Sequence, residues 1–334
     1  MVTVTRRRPS GQVSGESIVI EAAWLYYHDG LNQTDIAAQL GVSRATVVNY
    51  LQEAKERGFI RISLNPKAFT THRLAQELRE HFGLTAAYVV PDGIGSEEDA
   101  LLRVARGAAE WLPSLLDSGD RLGVSWGRTV FEVAEAMAQS QTTDITVSQL
   151  VGSMATPYGF TAEICSAHMA QRLGAKLINL HAPAVLSDPD LAARLRAEPI
   201  IRSQLDALGH CNKAIFAAGS CDHDSHVVGS GVASHADLDW YTSKGATGVL
   251  CGRFIDAAGR FISGDLDNRM IGVELDKLLG LDMGLLVSVG NDKVLPMLAA
   301  IAGGYVTHVV TSAATAKGML EVSRKAVRNI NQFA

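Results

Sequence analysis

Ser43, Arg44, Thr46 and Asn49 lie within seven residues of one another, and each side chain can reach a base edge or a phosphate. Arginine pairs bidentately with guanine and asparagine with adenine, each pairing supplying about 1–3 kcal/mol of discrimination. Gln33 and Thr34, upstream, suit phosphate contact, because the free amides that open a helix favour an anion. A second set is Ser125, Gly127, Arg128 and Thr129. There a glycine-containing turn and a hydroxyl can converge on a phosphate or a row of sugar hydroxyls. Lys293 is a third candidate, since a cation in the first turn of a helix opposes the macrodipole and so points to an anionic or electron-rich ligand. Arg253 and Asp256 can line the same pocket, although forming a turn is the more ordinary use of Asp256.

The first set needs two short helices to position it. Residues 33–53, QTDIAAQLGVSRATVVNYLQE, put apolar Ile36, Leu40, Val42, Val47 and Tyr50 where such helices bury against each other. Ala37 is small at their closest approach. Gly41 occupies the turn, where a left-handed backbone is cheapest without a Cβ, and Ser43 follows as an N-cap. The pattern is that of a helix-turn-helix whose second helix presents its N-terminal residues to the DNA major groove. A preceding helix is expected over 15–28, closed by Asp29-Gly30, and the recognition helix over 44–57, ending at Gly58. Alternation through Phe59-Ile60-Arg61-Ile62-Ser63-Leu64 predicts a short strand, the start of a wing.

The second set needs strand ends. After a linker helix over 67–83 the chain alternates strands and helices. Strands are expected at Ala87–Val90, Arg121–Trp126, Ile145–Val151, Lys176–Leu180, Lys213–Ala218, Gly248–Phe254, Leu285–Val289 and Val306–Thr311, and residues 248–256 followed by 257–262 read as a hairpin. Near-continuous apolar strands separated by helices imply a parallel α/β sheet covered on both faces, with ligands at the carboxyl ends of the strands. The expected organisation is a DNA-binding domain over 1–66, the linker helix, and an effector-binding and oligomerisation domain over 84–334.

Composition fits a two-domain chain of 334 residues with net charge −5. Residues 1–66 hold seven Lys and Arg against six Asp and Glu, a balance of +1, and the remainder 23 against 29, a balance of −6. The acidity therefore belongs to the second domain, and phosphate affinity must come from placed side chains and multivalency. Arg6–Arg8 is either a basic tail or an arm for the minor groove, and no apolar stretch follows to make it a signal peptide. Four cysteines without CxxC spacing read as reduced thiols of a cytoplasmic protein. The cluster Cys221-Asp222-His223-Asp224-Ser225-His226, with His210-Cys211 nearby, lacks the spacing of a structural zinc site. It reads instead as a mobile loop over the pocket. No cofactor motif, serine elbow, HExxH or paired carboxylate suggests catalysis.

Six stretches in order carry a family likeness: LNQTDIAAQLGVSRATVVNYLQEAKERGFIRI, LGVSWGRT, QLVGS, HAPAV, GATGVLCGRFIDAAG and SVGNDKVLPMLAAIAGGYVTHVVT. Together they resemble the SorC family of bacterial sugar-responsive transcriptional regulators. The resemblance implies a winged-type helix-turn-helix and a Rossmann-like effector domain related to sugar-phosphate isomerases but without catalysis. It further implies a sugar, polyol or sugar-phosphate effector and assembly as homodimers or homotetramers. Carried over, Ser125, Gly127, Arg128 and Thr129 would hold the phosphate or hydroxyl end and Lys293 would reach the ligand. Gly152-Ser153 would border the pocket at a third strand end. Val249 and Ser312 stand where the family commonly has aspartates, and Asn49 departs from its usual recognition-helix residue. The expectation is thus a regulator of a carbohydrate or polyol catabolic operon. The rivals are an active sugar-phosphate isomerase with an appended DNA-binding module, and a DNA-tethered scaffold with no effector.

Overall fold

Val19, Ala22 and Ala23 recur at helical spacing and bury one stripe of α1 (Gly15–Tyr27). Asn32 opens α2 (Gln33–Leu40), its side-chain oxygen accepting from the amides of Thr34 and Asp35 at 2.9 and 3.0 Å. Gly41 ends α2 at φ +69°, a conformation that strains any residue with a Cβ. Ser43 opens α3 (Arg44–Glu56), its hydroxyl accepting from the Thr46 amide at 3.1 Å. Ile36, Val47 and Ala54 are fully buried among the three helices. Burying a side chain such as isoleucine or valine contributes about 1.5–3 kcal/mol.

This computed structural model describes residues 15–140, 144–154 and 159–332, with side chains to residue 326; the Arg6–Arg8 arm lies outside the described residues. The chain divides into two units, Met1–Leu64 and Asn65–Ala334. Residues 59–64 form no strand, correcting the expected wing. Phe59 and Ile60 pack on the three-helix core instead, which takes the near end of the alternating stretch out of reach of a strand partner.

The second unit opens with α4 (Pro66–Thr70) and α5 (Arg73–Phe82) in the segment read as a linker. Both pack within this unit: Phe69 stacks on Tyr88, and Ala75 and Leu78 are fully buried. Then follow β1 (Ala86–Val90), α6 (Glu97–Trp111), β2 (Arg121–Val124), α7 (Arg128–Ala136), β3 (Thr146–Gln149), α8 (Ala162–Leu173) and β4 (Lys176–Ile178). The chain continues through α9 (Pro189–Ala197), α10 (Pro199–Leu208), β5 (Lys213–Phe216), α11 (His226–Gly229), α12 (His235–Ser243), β6 (Ala246–Leu250), β7 (Arg253–Asp256) and α13 (Asp265–Arg269). It closes with β8 (Met283–Val287), α14 (Val294–Ala302), β9 (His308–Ser312) and α15 (Ala313–Gln332).

Seven of these strands form one parallel sheet in the order β1-β9-β8-β5-β2-β3-β4. Successive side chains alternate between its faces. Tyr88 and Val90 join a core with α6, α7 and α8, while Ala87 and Val89 join one with α5, α10, α14 and α15. From β1 through β4 the chain winds toward one edge with its helices on the first face. From β5 through β9 it winds toward the other edge with its helices on the second. The direction reverses between β2 and β5, which pair directly. That is the topological switch point, where doubly wound sheets leave a crevice at their carboxyl ends.

The expected sheet strand Gly248–Phe254 is corrected. It is an antiparallel hairpin, β6–β7, outside the main sheet. Cys251 at φ +50° and Gly252 at φ +83° reverse the chain in its middle, the pair of left-handed residues that a two-residue hairpin requires.

Candidate functional site

The face of α3 is built by its own cap. Ser43, Arg44 and Asn49 are exposed and Thr46 half-buried. The Thr46 hydroxyl lies 2.8 Å from that of Ser43. Arg44 donates from Nε to the Gln33 side-chain oxygen at 3.2 Å, so one hydrogen bond links a residue at the start of α2 to one at the start of α3. Thr34 is exposed beside Gln33. Val48, overlooked in the polar count, is also exposed on α3, and an apolar side chain there suits a thymine methyl.

In the second unit, five of the candidates meet in one cavity of about 210 Å³ at the carboxyl ends of β2 and β5: Ser125, Gly127, Arg128, Thr129 and Lys293. Gly127 turns the chain from β2 into α7 at φ +115°, which explains the glycine. Its amide donates to the Phe160 carbonyl at 3.3 Å, and its carbonyl accepts from the Cys165 thiol at 3.8 Å. Among the described residues no side chain caps α7, so its opening amides beside the cavity are left for a ligand or solvent. Lys293 stands one residue before α14. Its ammonium lies 2.7 Å from the Asp292 carboxylate and donates to the Ser220 hydroxyl at 3.2 Å.

Other walls come from residues that the sequence did not single out as ligand contacts: Trp126, His226, Val249 and Cys251. The His226 ring lies 4.9 Å from that of Trp126 and 4.8 Å from that of Phe160. Burial, and then the nearby Lys293 charge, push its pKa from 6.5 to about 4, so it is neutral at pH 7. Burial likewise pushes the Cys251 thiol up to about 11, which keeps it protonated and a poor nucleophile. Among the described residues, none lining this cavity is Asp or Glu. Two cations, Lys293 paired with Asp292 and Arg128 paired with Glu98, and an uncapped helix start therefore border the cavity.

The remaining candidates are elsewhere. Gly152 and Ser153 lie where a Cβ on Gly152 would meet the Pro183 carbonyl oxygen at 2.6 Å; Ser153 borders a separate cleft with Met154 and Pro183. Arg253 is 1% exposed and locked in an ion-pair network, 3.0 Å from Asp267 and 2.7 Å from Glu274, with Nε donating to the Val273 carbonyl at 3.0 Å. It holds the hairpin rather than a ligand. Asp256 accepts from the amides of Ala258 and Arg260, both at 2.9 Å, which with the Arg260 side chain holds its carboxyl below the usual range. That is a turn. Within the 221–226 segment His223 pairs with Asp239 at 3.0 Å, and among the described residues no group of three or more metal-ligating side chains forms.

A neighbouring cavity of about 300 Å³ opens over the ends of β1, β9 and β8. It is lined by Asp92, Glu97 and Asp99 against one arginine, Arg103, and contains Ser312. Asp92 and Asp99 accept from the backbone amides of Ala314 and Ser96, each at 2.8 Å. Its polar groups serve the backbone, and its charge disfavours an anion.

Comparison with known proteins identifies the family. Residues 67–321 match the family model described as "Putative sugar-binding domain". A second model, of the ATPase subunit of terminase (gpP-like), matches residues 18–76, but no GKS or GKT phosphate loop accompanies it. The Escherichia coli transcriptional regulator YjhU is 36% identical over 94% of this chain and 98% of its own length. The Bacillus subtilis deoxyribonucleoside regulator is 30% identical over 91% and 97%. The full-length sorbitol operon regulator SorC from Klebsiella pneumoniae has the same fold, with a TM-score of 0.75 at 24% identity over 92% of this chain and 99% of that one. A sugar-binding domain behind a helix-turn-helix, matched nearly end to end by such regulators, means that the chain belongs to the SorC family of sugar-binding transcriptional regulators.

Proposed function

We propose that this regulator controls a carbohydrate or polyol catabolic operon and that its effector is a phosphorylated sugar or polyol bound at the switch-point cavity. The observation that carries the effector class is the convergence of Arg128, Lys293 and the uncapped start of α7 on a cavity with no acidic lining. The phosphate sits at Ser125, Gly127, Arg128 and Thr129, and Lys293 reaches the same ligand. The apolar wall of Trp126, Val227 and Val249 covers the carbon skeleton. Binding without turnover is the better reading, because the thiol in the cavity is kept protonated and the nearby carboxylates, Asp292 and Glu98, are engaged with Lys293 and Arg128.

Operator DNA is read by Arg44 and Asn49, with Gln33, Thr34, Ser43 and Thr46 fixing the helix on phosphates. One such module makes few contacts, so operator affinity calls for at least a dimer on paired half-sites. The effector changes DNA affinity through its different affinity for two arrangements of the subunits. The test is operator retardation titrated with pentose, hexose and polyol phosphates. One of them should shift the operator Kd, and the same compounds should pass through the protein without turnover. If only unphosphorylated sugars act, the anion assignment is wrong.

A further inference from the structure

Both cations of the cavity already have carboxylate partners, but the two pairs differ in kind. Lys293 pairs with its sequence neighbour Asp292. Arg128, opening α7, pairs instead with Glu98, which stands in the first turn of α6 and is exposed. We propose that Glu98 is a built-in competitor for the effector's anionic group, so that effector binding transfers Arg128 from Glu98 to the ligand. This rests on the anion site proposed above and adds the residue that sets its affinity.

The exchange is easy on physical grounds. The Arg128 and Glu98 side chains are 41% and 57% exposed, and an ion pair so open to water is weak. Once released, Glu98 remains beside the positive end of α6, which favours a carboxylate whether or not an arginine faces it. A ligand phosphate, by contrast, meets Arg128 together with Lys293 and the α7 amides. The swap also undoes an ionic tie between α6 and α7, two helices packed on the same sheet face. Glu97, one residue earlier, borders the neighbouring cavity and serves as an internal control for the general field of the helix.

The experiment titrates the full chain with inorganic phosphate at fixed ionic strength by calorimetry. Glu98→Gln should bind phosphate about two- to fivefold more tightly than the natural protein, the scale of an exposed ion pair. Glu97→Gln should match the natural protein, and in an Arg128→Gln background Glu98→Gln should have no effect. Natural-protein binding with no gain in Glu98→Gln, or an equal gain in Glu97→Gln, overturns the competitor and leaves the anion site standing. If no variant binds phosphate at all, both are overturned.

Discussion

Replacing Arg44 by alanine removes a guanidinium whose recorded side-chain contact is with Gln33 at an exposed position. Operator preference at one base pair should relax by about 1–3 kcal/mol while thermal unfolding stays unchanged. Fluorescence anisotropy against single-base operator variants measures it; a uniform loss across all sequences would make Arg44 a phosphate contact instead. Arg253→Ala should behave oppositely, leaving Asp267 charged and buried, with a stability loss of about 3–5 kcal/mol in urea denaturation. A loss below 1 kcal/mol would contradict the network. These two arginines also mark what the sequence makes legible. Gly41, Ser43 and Asn32 follow local rules of turn and cap, so their roles can be read from neighbours in the chain. Arg253 depends on Asp267 and Glu274 arriving from later segments, and no local pattern announces that its side chain turns into the core. His226 was hidden in the same way, inside a polar run whose pocket-facing end is set by Trp126 and Phe160.

At the scale of elements, the strand ends decide the site. The turn after β2 and the loop between β8 and α14 meet because β5 pairs with both β2 and β8, although their sequences are far apart. Lys293→Ala should keep operator binding and abolish the effector's shift of it, since Lys293 lies in the cavity and outside the helix-turn-helix unit. Retained response in retardation assays would remove Lys293 from the site. Seven of the eight expected strands belong to the sheet, because long apolar runs between helices have few other fates. The eighth failed at Cys251, a non-glycine residue in a left-handed turn that composition gives no reason to expect. Helices α9, α12 and α15 were also missed. The capping box of Ser234 and Asp237 at α12 was the available signal, obscured by the polar stretch before it.

For the whole molecule, two histidines tie stability to pH. Burial foremost, then Lys293 and Lys213 respectively, holds His226 and His308 near pKa 4 instead of 6.5. The unfolded chain therefore takes up protons between pH 6.5 and 4 that the folded chain refuses. Their contribution is fully present above pH 6.5 and falls away as pH drops through that window. Scanning calorimetry from pH 7 to 4 should record a declining melting temperature, and a flat profile would contradict the neutral, buried histidines. The two-unit organisation was legible because helical and α/β periodicities differ so strongly. The boundary was less so, since the packing of α4 and α5 on the sheet unit is a tertiary matter. In the proposed mechanism one unit reads DNA and the other binds an anion. Its most direct test is the Kd of the purified protein for its own upstream DNA and for random duplex, at moderate salt, with and without a panel of sugar phosphates. A clear preference for the upstream DNA is expected, with a change in that Kd on adding one phosphorylated compound. Equal affinity for both duplexes, unmoved by every compound, would contradict it.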